Sequence, residues 1–337
     1  MRTFFVTGVA GFIGYWVAKS LLARGDRVVG LDNLNAYYEV SLKEARLSQL
    51  RASGDANYFE WIHGDLLDRA CLETIFERHA FDGVIHLAAQ AGVRHSLSHP
   101  QAYIDSNVTG FLNVLERVRQ RPVHLVYASS SSVYGGLNEL PYSEAQNVDR
   151  PVSLYAATKR ANELMAHTYS HLFQIPATGL RFFTVYGPWG RPDMAYFKFV
   201  KSILEGRPIE IYNEGKMQRD FTYVDDIVNG VLEVMDCPPV TKPSDQQFAF
   251  DVLPAHRLLN IGNHQPVQLT DFVSIIEQAL GKKAEKIYRP MQPGDVPATY
   301  ADTSALQQLT GFAPNTPLAE GIRRFVAWYR SYYGIPS

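Results

Sequence analysis

Apolar residues recur along this chain in two patterns: short unbroken runs rich in Val, Ile, Phe and Tyr, and longer clusters spaced every three or four positions. Thr3–Thr7, Arg27–Leu31 (ending on Asp32), Tyr58–Ile62, Val84–Ala88, Val123–Ala128 and Thr178–Phe183 are runs of the first kind, of the length of buried strands. The second kind begins with Phe12–Arg24, where Phe12, Ile13, Trp16, Val17, Leu21 and Leu22 share a helical face. It continues around Leu67–Arg78, Tyr103–Arg119 and Leu154–Phe173. Strands apolar on both faces, alternating with helices, predict an α/β fold with a doubly wound parallel sheet. Ligands of such sheets collect at the carboxyl ends of the strands.

Beyond Tyr186 the regularity breaks. Pro188, Gly190, Pro192 and Pro208 interrupt it, and helical spacing returns only at Tyr196–Glu205, Ile227–Met235, Leu269–Leu280 and Leu318–Tyr329. Cys237–His256, with early prolines and little periodicity, reads as a surface excursion. The expected organisation is a first domain over 1–186, to which about 219–236 and 257–263 return, and a smaller α/β C-terminal lobe made mainly from 187–337. No internal repeat is evident.

Composition narrows the class of protein. The chain has 337 residues, 46% of them hydrophobic, which suffices for one large or two moderate cores. A net charge of −2 offers no basic excess for nucleic acid. No apolar run reaches the length of a membrane span. Gly8, Gly11 and Gly14 interrupt the apolar N-terminus, so it does not read as a signal peptide. Cys71 and Cys237 are the only cysteines, and the ten histidines show no metal-ligand spacing. The expectation is a cytoplasmic enzyme with no metal, no nucleic-acid partner and no membrane anchor.

Three features carry chemistry. Gly8-Val-Ala-Gly11-Phe-Ile-Gly14 joins the first strand to the first helix, where glycines let a dinucleotide pyrophosphate approach the backbone. Such a turn also serves plain chain reversal, but here an acid, Asp32, ends the next strand. A carboxylate there accepts from the adenosine ribose and repels a 2′-phosphate, favouring NAD over NADP. Gly64-Asp65-Leu66 and Leu87-Ala88-Ala89-Gln90-Ala91-Gly92 end the third and fourth strands; Asp65 suits the adenine amine, and the small residues suit a flat cofactor. Finally, Tyr155 and Lys159 stand one helical turn apart, after the run Ser129-Ser130-Ser131-Ser132. A nearby ammonium stabilises a phenolate and makes tyrosine a usable base, with Ser130 relaying the proton from a substrate alcohol. Tyrosine and lysine also fall four apart on many solvated helices; the other motifs give the pair its weight.

The glycine spacing, Asp32, the serine run leading to Val133-Tyr134-Gly135, and Tyr155-x-x-x-Lys159 together resemble the extended short-chain dehydrogenase/reductase family. The resemblance spans essentially the whole chain and implies a Rossmann-like domain. Arg181-Phe-Phe-Thr184-Val-Tyr-Gly187-Pro and Arg219-Asp220-Phe-Thr-Tyr-Val-Asp225-Asp226 resemble enzymes of nucleotide-diphosphate sugars. Leu31–Tyr38, Gly187–Met194 and Pro290–Val296 are most similar to UDP-glucuronate 4-epimerases. The resemblance implies that Tyr155 deprotonates the sugar 4-hydroxyl, that Lys159 lowers the tyrosine pKa and holds the nicotinamide ribose, and that Ser130 completes the relay. It also implies tightly bound NAD, with Phe12, Ile13, Asn33, Leu66, Leu87, Asn107, Ser129 and Phe182 among the cofactor contacts, and a homodimer paired through the helices Tyr103–Arg119 and Leu154–Phe173.

Relatives that eliminate water carry an Asp–Glu pair after the relay hydroxyl, and decarboxylases a Glu before the Val-Tyr-Gly. This chain has Ser131 and Ser132 at those positions, and a hydroxyl is too weak an acid or base to replace a carboxylate. Redox at C4 without elimination is therefore expected. Ser131, Ser132, Thr184 and Arg191 are the candidates for holding a sugar carboxylate, Arg191 by a bidentate pair. Tyr212 is the expected ring for the uracil and Arg219 the phosphate cation, with Arg94, Gln292 and Asp295 as further substrate contacts. Many relatives carry Arg where this chain has Gln292. The alternatives are a 4-epimerase of UDP-glucose or UDP-N-acetylglucosamine, a UDP-glucuronate decarboxylase, a dehydratase, and an NAD-sensing protein without chemistry.

Overall fold

The computed structural model describes residues 1–52, 58–243, 252–292 and 295–336. Part of the expected surface excursion (244–251) and the centre of the Pro290–Val296 segment (293–294) lie outside the described residues. The central sheet has seven strands: β1 Thr3–Thr7, β2 Arg27–Asp32, β3 Phe59–His63, β4 Gly83–His86, β5 His124–Ser130, β6 Ala177–Phe182 and β7 His256–Ile261. All pairings are parallel, in the order β7-β6-β5-β4-β1-β2-β3. The order reverses beside β1, and the crevice that opens there is where doubly wound sheets bind their ligands.

The unbroken apolar runs are explained by what covers each face. Val6, Val28, Ile85, Val126 and Leu180 pack with the helices Phe12–Ala23 and Val224–Met235. Their alternates Phe5, Val29, Val84, Leu125 and Tyr127 meet Leu72, Phe111, Val114 and Ala166 on the other side. Each large apolar side chain buried in this way contributes about 1.5–3 kcal/mol. β7 reaches the sheet edge only after the chain has left for the second lobe. There Thr184–Tyr186, Pro266–Gln268 and Ala298–Thr299 flank Gln218–Tyr223 in a small sheet, and Ile209–Tyr212 pairs with Lys286–Arg289.

Among the helices that depart from the periodicity reading, two bear on the cleft. Val40–Ala52 is a helix whose inner face buries Lys43 and Arg46 beside Leu42, Leu47 and Leu50; charges on the core side hide it from an apolar count. The expected helix Tyr103–Arg119 is present as a continuous helical run from Pro100 to Val118, but its stretch Ile104–Thr109 is π-helical. The cause is Asn107, whose amide accepts from the Gln90 backbone N–H (2.7 Å) and donates to the Gln90 carbonyl (3.0 Å) and to Thr158 Oγ1 (3.1 Å). Its own carbonyl accepts from Asn162 Nδ2 (2.6 Å) on the helix Leu154–Phe173. A π-bulge of this kind frees one backbone group for tertiary use.

Candidate active site

A cleft of about 440 Å³ runs over the carboxyl ends of the strands, within the range of small-molecule sites. Its cofactor end is shaped by glycine. Gly8 has φ +73° and lies so close to the β4 loop that a Cβ would sit 2.8 Å from the Ala88 nitrogen. A Cβ on Gly14 would stand 2.1 Å from the Gly8 carbonyl oxygen. The turn can pack this closely against the β4 loop and its own helix only with glycine at both positions. Asp32 is buried; one carboxylate oxygen accepts from the Ala10 N–H (3.1 Å), the other from the Leu34 N–H (2.9 Å). Asn33 donates to Asp65 (2.7 Å), joining the ends of β2 and β3. Gly8, Gly11, Phe12, Ile13, Gly14, Asp32, Asn33, Asp65, Leu66, Leu87, Ala88, Ala89, Gln90, Ser129 and Phe182 all line the cleft. The glycine cradle and the acid at the second strand end fit a dinucleotide with a free ribose diol. Asn107 does not line it: its amide is committed to Gln90 and Thr158, so it fixes the β4 loop against the helix Leu154–Phe173.

Ser130, Tyr155 and Lys159 all line the cleft. The helix that supplies the latter two is capped by Ser153, whose hydroxyl accepts from the Ala156 N–H (3.1 Å), which fixes where its first turn begins. Ser130 Oγ accepts from the Ser132 N–H (3.1 Å). Burial pushes the Tyr155 phenol above its ordinary pKa; hydrogen bonding with Ser130 and the Arg191 charge pull it back. Lys159 stands one turn further along the same helix and also lines the cleft. Its ammonium reaches inward to the Ala128 carbonyl at the end of β5 (2.8 Å), and burial lowers its own pKa to about 8.

Behind Ser130 lies a buried network. Ser129 donates to Glu163 (2.6 Å), and Arg181 grips the same carboxylate through Nε (2.8 Å) and Nη2 (2.9 Å). The Ser129 hydroxyl is thereby spent on structure. Ser131, Ser132, Thr184 and Arg191 line the same cleft. Arg191 carries a partner that sequence reading missed: Asp193 accepts from its Nε (3.0 Å) and Nη2 (2.8 Å), and from the Tyr37 hydroxyl (3.1 Å).

The remaining candidates gather outside the cleft wall. Arg94 bonds Asp295 (2.9 Å) and lies over the Tyr212 ring, 4.9 Å from its centre. Arg219 donates to the Gln218 (2.8 Å) and Pro297 (3.2 Å) carbonyls. The Gln292 carbonyl accepts from the Asp295 N–H (3.2 Å). Also missed was Arg46, fully buried, which donates to the carbonyls of Ala10 (2.8 Å), Trp189 (2.7 Å) and Gly190 (3.2 Å). It straps the glycine turn to the loop carrying Arg191. A buried cation without a carboxylate leaves no charge-pair signal in sequence.

A dinucleotide cleft with a Ser–Tyr–Lys centre defines an NAD-dependent short-chain enzyme, and the chain belongs to the NAD dependent epimerase/dehydratase family, whose sequence model matches residues 4–245. Within it, the chain is 48% identical to UDP-glucuronate 4-epimerase 4 of Arabidopsis thaliana, over 98% of this chain and 76% of the plant protein. It is similar to the crystal structure of UDP-glucuronic acid 4-epimerase from Bacillus cereus in complex with UDP-glucuronic acid and NAD, with a TM-score of 0.86, 31% identity, and 98% and 100% of the two chains covered. The UDP-glucose 4-epimerase of Thermotoga maritima, at 26% identity over 98% and 99%, has a TM-score of 0.84. Backbone shape alone does not separate acidic from neutral sugars.

Proposed function

We propose that this protein is an NAD-dependent isomerase that interconverts UDP-glucuronate and UDP-galacturonate at C4. The observation that carries this reading is the joint lining of one cleft by Ser130, Tyr155 and Lys159 together with Ser131, Ser132 and Arg191. The first three supply alcohol oxidation. The second three supply a cation and hydroxyls for a carboxylate, and no carboxyl group for elimination.

Bound NAD supplies the acceptor, and later the donor, of the hydride at sugar C4. Tyr155 takes the C4 hydroxyl proton, directly or through Ser130, and returns it after the 4-keto sugar has turned to offer its other face. Lys159 holds the nicotinamide ribose and contributes positive charge below about pH 8. Asp32 binds the adenosine ribose and Asp65 the adenine amine. Arg94, Tyr212, Arg219, Gln292 and Asp295 hold the uridine diphosphate. We assign 1–186, with the returns at about 219–236 and 257–263, to the cofactor and 187–337 mainly to the nucleotide sugar; the arrival of β7 at the central sheet supports this division. Exposed Leu164 and Leu172 on the helix Leu154–Phe173 support a homodimer through that helix. Two free thiols, Cys71 and Cys237, suit the cytoplasm. Among the described residues no helix is long and apolar enough to cross a membrane.

The test is NMR of the products formed from UDP-glucuronate by purified protein without added NAD. UDP-galacturonate as the product supports the reading. Equal or greater turnover of UDP-glucose sinks it.

A further inference from the structure

Arg191 is held more firmly than an isolated arginine on a loop. Two parallel bonds to Asp193, from Nε (3.0 Å) and Nη2 (2.8 Å), fix both the position and the rotation of its planar group. The second Nη2 proton is directed at Met194 Sδ (3.7 Å), and Nη1 has no hydrogen-bond partner among the described residues. Asp193 is anchored in turn by the Tyr37 hydroxyl (3.1 Å), which arrives from the loop after β2. The His95 ring packs edge-on against Tyr37, with centres 4.8 Å apart. Tyr37, Arg191 and Met194 line the cleft beside Ser131, Ser132 and Tyr155, whereas Asp193 stands behind them.

We propose that Asp193, steadied by Tyr37, is the positioning residue that sets Arg191 to hold the sugar carboxylate in the plane of the ring, and so keeps epimerisation free of decarboxylation. The proposal rests on UDP-glucuronate being the substrate. Once C4 is a ketone, the substrate is a β-keto acid. If the C5–C6 bond stands perpendicular to the carbonyl plane it can break: CO₂ leaves, the electron pair passes to an enolate over C5 and C4, and C5 then takes a proton. A carboxylate kept in the ring plane does not reach that alignment. A guanidinium free to swing permits it; one clamped along its Nε–Nη2 edge offers the remaining donors in one direction only. A salt bridge between residues two apart is often mere loop structure. The Tyr37 bond across to the cofactor side, and the unspent Nη1 in a cleft-lining arginine, set this one apart.

The test uses the holoenzyme with UDP-glucuronate and follows all products by NMR, comparing the wild type with Asp193→Asn and Tyr37→Phe. For Asp193→Asn, kcat for epimerisation falls about tenfold through misplacement of the substrate. KM moves by less than about threefold, because the nucleotide still anchors it. CO₂ appears together with a UDP-4-ketopentose, or with the UDP-pentose formed when the hydride taken from C4 is returned. Tyr37→Phe shows the same decarboxylated product in smaller amount, and decides the matter if Asp193→Asn does not fold. Wild-type turnover of UDP-glucuronate with no decarboxylated product from either variant overturns the role of Asp193 and leaves the substrate reading standing. Equal falls in activity, bound NAD and Tm without that product assign these residues to structure alone and also overturn it. A wild type inactive on UDP-glucuronate removes the substrate reading, and this proposal with it.

Discussion

On the cofactor side of the cleft, Gly8 and Gly14 work through what they lack, and Asp32 takes its orientation from backbone N–H groups on either side of it. On the other side, Arg94 and Asp295 join charged ends across loops, and Arg191 and Asp193 join theirs within one. The first region is a matter of backbone geometry, set by residues close in sequence to a strand end. The second is assembled from side chains, some as far apart in the chain as Arg94 and Asp295. Backbone geometry tolerates few residue types at a position. A side-chain site can be rebuilt by exchanging its partners, and this is how one fold serves several sugars.

The largest effect should come where the two regions meet. Tyr155→Phe keeps the ring in its buried place and removes only the proton acceptor. We expect kcat to fall by about 10³, within the range of general acid–base catalysis, with bound NAD and Tm unchanged. Loss of cofactor in this variant would mean that the phenol belongs to the floor rather than to the chemistry.

Next is the strap between the regions. Arg46→Met keeps the bulk of the side chain but orphans the Ala10, Trp189 and Gly190 carbonyls, with little water to replace the lost donors. We expect a loss of about 2–4 kcal/mol in urea unfolding, the cost of unsatisfied buried groups. NAD retention and sugar turnover should weaken together, since one residue holds both loops. A stability loss confined to either function would show the regions to be independent.

What was legible in the sequence follows the same division. Six of the seven central strands appeared as apolar runs because both faces are covered, and the glycine turn, Asp32 and the Ser–Tyr–Lys set were visible because each sits at a fixed offset from a strand or helix end. The helix Val40–Ala52 escaped because its inner face carries Lys43 and Arg46. Asn107, a cofactor contact by resemblance, lies outside the cleft lining with its amide committed to Gln90 and Thr158, partners that no spacing in the sequence reveals. Asp193 stood inside a matching segment, yet its meaning depends on Tyr37, 156 positions away. No local pattern encodes such a meeting.

A pH profile sharpens the catalytic side. Burial brings Lys159 from its ordinary 10.5 down to about 8, so the folded state gives up this proton before the unfolded chain does. The burial of this charge therefore costs stability fully below about pH 8, and the cost fades as pH rises toward 10.5. Activity should run the other way: kcat/KM declines above about pH 8, approaching tenfold per pH unit as the ammonium is lost. Lys159→Arg, which keeps its charge throughout this range, should flatten that limb even if its ceiling is lower. An unaltered limb would assign the titration to another group.

The smallest effect belongs to the outer rim. Arg94 is half exposed, bonded to Asp295 and laid over Tyr212. An exposed ion pair contributes about 0–1 kcal/mol and an exposed cation–π contact about 0.5–1, so Arg94→Ala should leave Tm nearly unchanged. If the rim only anchors the nucleotide, it binds ground state and transition state alike. KM for the UDP-sugar should then rise about fivefold while kcat holds, and added salt should narrow the gap between variant and wild type by screening the charge that remains in the latter. A fall in kcat instead would mean that nucleotide binding at the rim is coupled to the geometry at Tyr155. Side-chain assembly on one side of the cleft would then be tuning backbone geometry on the other, and the two regions would have to be treated as one device.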